Sequence, residues 1–132
     1  VPRQGAKIIQ TTKRRRGALA AGLRAEILAA SYLRLKGYRI LARRYLIGGG
    51  EIDLIARKSD SIVFVEVKSR SDLTMALTAI DAAKCRRISR AAAHWLAANP
   101  WAIRLNLRGD SICLAPWRWP RHTVAALTLD IG

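Results

Sequence analysis

Between Ala18 and Lys36 the apolar residues Leu19, Leu23, Ile27, Leu28, Tyr32, Leu33 and Leu35 recur mostly at steps of three and four, the spacing of one helix face. Gly37 follows as a stop, so the pattern predicts an amphipathic helix. Tyr38 to Leu46, Ile52 to Ala56 and Ile62 to Val67 then read as strands, the last two rich in β-branched residues. Gly48-Gly49-Gly50 is a flexible loop between the first two, and Lys58-Ser59-Asp60-Ser61 is a turn between the second and third. A second long helix fits Ala76 to Ala98, with Ile80, Ala83, Ile88, Ala91, Ala92, Trp95 and Leu96 as its apolar side and Asn99-Pro100 as its end. Ala102 to Leu107, Ile112 to Ala115 and Thr123 to Leu129 are further candidate strands, separated by Gly109-Asp110 and by the stretch from Pro116 to Pro120. The order of helix, three strands, helix and strands predicts an α/β sandwich, a central mixed sheet with helices on its faces.

The chain has 132 residues, which suits a single domain over residues 17–132. Residues 1–16 end in Lys13-Arg14-Arg15-Arg16 and show no sustained apolar period, so they are expected to form a basic, mobile tail. Such a tail either stays solvated or adds salt-dependent affinity for phosphates. Charge sharpens the choice of partner. The chain carries 24 Lys plus Arg against 9 Asp plus Glu, a formal net charge of +15, and this favours an anionic partner. With no long apolar run, signal peptide or lipidation motif in the sequence, nucleic acid is expected rather than a membrane.

Cys85 and Cys113 are the two cysteines, far apart and without zinc-type spacing to histidines. Neither a structural zinc nor a disulfide framework is expected, and a reducing cytoplasm fits this usage. His94 and His122 show no spacing that suggests a metal or a catalytic triad.

The chemistry concentrates on one hairpin. A turn centred between Ser59 and Asp60 sets Asp53 opposite Glu66 and Glu51 opposite Lys68, and strand alternation points all four side chains to one face. Ile52, Leu54, Val65 and Val67 should then point to the other. Directly opposed carboxylates repel. A hard divalent cation with oxygen ligands relieves that repulsion, and Mg²⁺, or Mn²⁺ in its place, suits one or two carboxylates with water and phosphate oxygens. Lys68, two residues from Glu66, is placed to stabilise an attacking hydroxide or charge on a phosphate. These are parts for hydrolysing a phosphodiester; the plain alternative is an exposed, charge-balanced hairpin face on which Lys68 neutralises Glu51.

The segments Gly50-Glu51-Ile52-Asp53-Leu54-Ile55-Ala56 and Phe64-Val65-Glu66-Val67-Lys68-Ser69-Arg70 resemble the YraN family (UPF0102), which is similar to the PD-(D/E)xK nuclease superfamily and to archaeal Holliday-junction resolvases. The resemblance runs from about Gly17 to Leu107 and includes Gly22-Leu23-Arg24-Ala25-Glu26, Lys36-Gly37-Tyr38 and Asp81-Ala82-Ala83-Lys84. It implies a restriction-endonuclease-like fold, Asp53, Glu66 and the Val67 carbonyl as metal ligands, and Lys68 as the catalytic lysine. Glu26 matches an acidic residue of the first helix that either completes the metal site or is simply solvated. Two departures touch the surroundings of the site: Cys85 stands where the family usually has glutamine, and Leu105-Asn106-Leu107 where it usually has Phe-Asp-Val. The region after Gly109 does not align.

Arg70, Lys84, Arg86, Arg87 and Arg90, with Arg43 and Arg44 before the glycine loop, are candidates for holding phosphates or else members of solvated faces. Trp95, in helical spacing with Ala91 and Ala92, reads as core. Trp117 and Trp119 flank Arg118 in a proline-bounded loop, where base stacking is open to them. The leading expectation is a metal-dependent endonuclease for branched or structured DNA. The alternatives are a DNA-binding or repair-accessory module with little cleavage and an RNA-binding, ribosome-associated protein. The resemblance to resolvases also implies a homodimer.

Overall fold

A computed structural model describes residues 2–72 and 80–131, with side chains at Arg16 and from residue 20 onward. The elements are α1 (Pro2–Leu35), β1 (Arg39–Ile47), β2 (Gly50–Lys58), β3 (Ser61–Ser69), α2 (Ala82–Ala98), β4 (Asn106–Leu114) and β5 (Arg121–Leu127), with a short 3₁₀ helix at Pro100–Arg104. The strands form one sheet in the order β1-β2-β3-β4-β5. All neighbours are antiparallel except β3 and β4, which run parallel across the α2 crossover. This is the α/β sandwich expected of a restriction-endonuclease-like fold.

Each face of the sheet has its own apolar layer. Ile55, Ile62 and Phe64 pack with Ile88, Ala91, Ala92, Trp95 and Leu96 of α2. Leu54, Ala56, Val63, Val65 and Ile112 pack with Ala29, Ala30 and Leu33 of α1. Trp95 is core, edge-on to Phe64 with ring centroids 6.0 Å apart. Phe64 is fully buried, so truncating it should cost about 3–5 kcal/mol.

Several sequence expectations change here. The helix runs back from Ala18 to Pro2 and takes in the basic segment read as a mobile tail. That stretch is dominated by Arg, Lys, Gln, Ala and Ile, and Pro2 at the first helical position has no N–H to lose. The buried face of α1 is built from Ala25, Ala29, Ala30 and Leu33, while Leu23, Ile27, Leu28 and Leu35 are exposed. Small residues let the helix lie close to the sheet, so the bulkier aliphatic positions turn outward. α2 is described from Ala82, with Asp81 as its N-cap; residues 76–79 of the expected helix lie outside the described residues.

The strand expected at Ala102–Leu107 is largely the 3₁₀ turn that Pro100 opens, and β4 starts at Asn106. Gly109-Asp110, read as a turn, lies inside β4. A Cβ on Gly109 would lie 2.7 Å from Cβ of Leu127, so glycine serves close packing there. Asp110 is fully buried and held by several partners. Arg108 Nε donates to Oδ1 at 2.8 Å and its Nη2 to Oδ2 at 2.9 Å, and the Ala125 N–H donates to Oδ1 at 2.9 Å. His122 Nε2 stands 2.6 Å from Oδ2. Lys36 Nζ is 2.6 Å from the other ring nitrogen, and an ammonium has only hydrogens to give, so Nδ1 accepts and Nε2–H donates to Asp110.

Candidate active site at the beta2–beta3 fork

The hairpin register is the one the turn predicts: Lys58 pairs with Ser61, and the ladder runs to Leu54 opposite Val65. One step further, Asp53 turns its carboxylate into the line of the ladder, and Oδ2 accepts the Val67 N–H at 2.7 Å. A side chain thus takes over a backbone partner, and the two strands fork at this level. On the other flank, Arg43 pairs with Leu54 and Tyr45 with Ile52, which sets Arg44 level with Asp53. Arg44 has φ 53°, a left-handed conformation uncommon for a residue with a side chain. Alternation breaks here: Leu54 packs under α1, while Ile52, two residues before it, packs under α2. The expectation that Ile52 and Leu54 share a face is corrected accordingly.

Glu66 and Lys68 continue the α2-facing side of β3 beyond Phe64 and are almost fully buried, at 2% and 6% exposure. Glu66 and Asp53 stand close enough across the fork for each to perturb the other's titration. Burial and then the Asp53 charge push Glu66 up to about 7, although Lys84 pulls in the opposite direction. Asp53 is also raised, chiefly by burial, against the lowering effect of the Val67 N–H and of Glu66. Lys68 is lowered, again chiefly by burial, with Arg70 and Lys84 adding repulsion and Glu66 opposing them.

Lys84, expected to hold phosphate, forms an ion pair with Glu66. Burial disfavours its charge, but the hydrogen bond and charge of Glu66, with Asp53 and Glu51, hold its pKa above the ordinary lysine value. Its position follows from the helix start: Asp81 caps α2 by accepting the Lys84 N–H at 2.8 Å, which brings the positive end of the helix and the ammonium to the carboxylate pair.

Glu26 comes to the site from α1. It lines a cleft with Gly22, Asp53, Val67 and Ser69, and a second hollow with Arg44, Glu51 and Asp53. Its pKa is raised by burial first and by Asp53 next, with Arg44 and Arg43 opposing. Glu51 therefore stands with Glu26 and Arg44, and its backbone pairs with Leu46 of β1. Among the described residues, no three His, Cys, Asp or Glu side chains form a metal cluster on their own.

The other basic candidates divide. Arg43 and Arg44 are exposed beside Glu26. Arg70 follows β3 and donates to the Ser69 carbonyl at 2.9 Å. On α2, Arg87 is three residues from Lys84 and shares its side, whereas Arg86 and Arg90 line a separate cleft with Ser89, Ala93, Thr128 and Asp130. Arg90 also reaches the Gly49 carbonyl at 3.5 Å. Sequence reasoning left His122 without a role and missed the buried network around Asp110, because its members come from the turn between α1 and β1, from β4 and from β5, and no spacing connects them.

Among the described residues no helix is long and apolar enough to cross a membrane. The family model described as "Uncharacterised protein family UPF0102" matches residues 25–114, so the match extends past Gly109 to the end of β4. A UPF0102 protein of Methylocella silvestris is 55% identical over 118 residues, covering 89% of this chain and 95% of that protein. One from Methylobacterium nodulans is 52% identical over 118 residues, covering 89% and 92%. One from Bradyrhizobium diazoefficiens is 45% identical over 125 residues, covering 95% and 94%. With its helix-covered sheet, forked hairpin and end-to-end likeness to these relatives, the chain belongs to the UPF0102 family.

Proposed function

We propose that this protein is a divalent-metal-dependent endonuclease that hydrolyses phosphodiester bonds in branched or structured DNA. One observation carries the reading: half-buried Asp53, held by the Val67 N–H at 2.7 Å, and buried Glu66 bring two carboxyls together beside buried Lys68, on a chain of net charge +15. Burial raises both carboxyls even against the Lys84 charge, which is a cost to folding that a bound cation relieves. The donor set suits Mg²⁺, and Mn²⁺ as a substitute. Two carboxylates are available, and the Val67 carbonyl should face the same strand edge as its N–H, which Asp53 engages. When bound there, the ion supplies Lewis acidity toward a phosphate and an attacking water.

The chain's own groups divide the remaining work. Glu66, raised to about 7, would offer the ion a second carboxylate once deprotonated. Lys68, whose ammonium is weakened by burial, orients the water and meets the charge that grows on the phosphate. Glu26 closes the α1 wall of the cleft. Arg43, Arg44, Arg70 and Arg87 bind flanking phosphates without reading sequence.

The pairing of Lys84 with Glu66 favours a second reading, a DNA-binding module in which that lysine takes the place of the cation and cleavage is weak. Incubation with branched, flapped and linear DNA and Mg²⁺, beside Lys68→Ala and Asp53→Ala, decides between them. Cleavage that needs the metal and both residues supports the nuclease. Salt-sensitive binding with no cutting supports the module, and equal activity in all three proteins sinks the assignment.

A further inference from the structure

The hairpin between β4 and β5 holds the two most conspicuous unburied aromatics, Trp117 at 101% and Trp119 at 80% exposure. The Arg118 N–H donates to the Ala115 carbonyl at 3.3 Å, which closes a turn with Pro116 and Trp117 at its centre. Proline presets the first central position. Trp117 occupies the second at φ 60°, a site that favours glycine or asparagine. Its indole is thus held in water by a conformation that is itself unfavourable for a bulky residue. Folding gains from neither feature, whereas binding can.

The location supplies the partner. Cys113 pairs with both Lys68 on β3 and Arg121 on β5, and the Arg70 N–H donates to the Leu114 carbonyl at 2.9 Å. The hairpin therefore leaves the sheet at the end where Lys68 sits, and Trp117 is three residues past Leu114, at most about 11 Å of chain. From Ala115 to Arg121 the sequence is Ala-Pro-Trp-Arg-Trp-Pro-Arg, with two arginines and no acid. Aromatic faces interleaved with guanidinium groups suit flat bases on an anionic backbone. Within duplex DNA the base faces are already stacked on each other, so away from a blunt end the indoles can engage only unpaired nucleotides.

We infer that Trp117 and Trp119 form a stacking platform for unpaired bases, so that the preferred DNA carries a single-stranded segment adjoining the bond to be cut. This deepens the proposed nuclease function and rests on it for the cut, but the binding preference can be measured alone.

The test compares blunt duplex with the same duplex carrying an oligo-dT tail, by fluorescence anisotropy in EDTA, where no cleavage occurs. The proteins are the full chain, Trp117→Gly/Trp119→Ala and Asp53→Ala; glycine suits the backbone of residue 117, so the double variant should keep its fold by circular dichroism. The full chain should bind the tailed DNA on the order of tenfold or more tightly than blunt duplex. The double variant should bind both alike at the blunt-duplex affinity, and oligo-dT should quench the tryptophan emission of the full chain but not that of the variant. Asp53→Ala should keep the tail preference, so failure of the nuclease reading leaves this one standing. A tail preference that survives in the double variant overturns the platform. So does the absence of a preference in the full chain combined with tryptophan-dependent binding to anionic phosphatidylglycerol vesicles, which would assign the indoles to a lipid surface.

Discussion

The ammonium of Lys84, in the first turn of α2, forms an ion pair with the carboxylate of Glu66 on β3. Because this contact lowers the Glu66 pKa against burial and the Asp53 charge, Lys84→Ala should raise it further. The acidic limb of the pH–activity profile should then move to higher pH, with little change in substrate KM at the alkaline plateau. A higher KM with an unmoved limb would return Lys84 to the role of a phosphate contact.

Glu66 also predicts how stability depends on pH. Its pKa rises from 4.5 to about 7 in the folded chain, so the native state holds the proton more tightly than the unfolded one. Stability should fall as pH rises across that window and level off above it. Glu66→Gln keeps a donor and an acceptor but removes the charge, so it should stabilise the protein at pH 8 by about 1–3 kcal/mol while abolishing metal-dependent cleavage. Denaturant titrations at pH 5 and pH 8 measure this, and a variant with unchanged pH dependence would count against the dyad.

Asp110 predicts the opposite pH sign. Burial disfavours its charge, but His122, Arg108 and the Ala125 N–H outweigh that and hold its pKa below the ordinary value. The stabilisation is present above the ordinary aspartate range and is lost as pH falls through the depressed pKa. Asp110→Asn should cost about 3–5 kcal/mol at neutral pH, because Arg108 loses its buried counter-charge and the His122 N–H loses a carboxylate acceptor. Urea denaturation would register it, and a loss below about 1 kcal/mol would mean the network is solvated.

Gly50 marks where the glycine loop presses on α2. A Cβ there would meet the Arg87 carbonyl oxygen at 2.8 Å and the Ala91 nitrogen at 3.0 Å, both backbone atoms that cannot swing aside. Gly50→Ala should therefore destabilise by about 1–3 kcal/mol. Because the displaced strand leads directly into Glu51 and Asp53, cleavage per folded molecule should fall as well. Gly48→Ala, which meets nothing within 4 Å, serves as the control.

The legible part of the chemistry was local. The turn at Ser59-Asp60 and the alternating β-branched residues around it set the register that brings Asp53 to Glu66, and both are written in consecutive residues. What escaped depends on how elements pack. Lys84 gave no sign of its carboxylate partner, since the placement of α2 against β3 is a tertiary result. Counting leucines mis-assigned the face of α1, where close approach to the sheet selects alanines. Gly109-Asp110 has a turn's composition, yet Leu127 packs on the glycine and Arg108 and His122 hold the aspartate inside a strand. Alternation at Ile52 and Leu54 failed at Asp53, whose carboxylate takes the Val67 N–H where the ladder ends, level with Arg44 in its left-handed conformation.

β3 has a strand on either edge and an apolar layer on either face. Amides along Val63 to Val67 should accordingly exchange with solvent only when the whole domain opens, and the groups at Glu66 and Lys68 keep their arrangement for as long as any native molecule survives. The outward side of α1 and the indole-bearing hairpin lie at the sheet's margins, where a change of side chain leaves this rigid centre still.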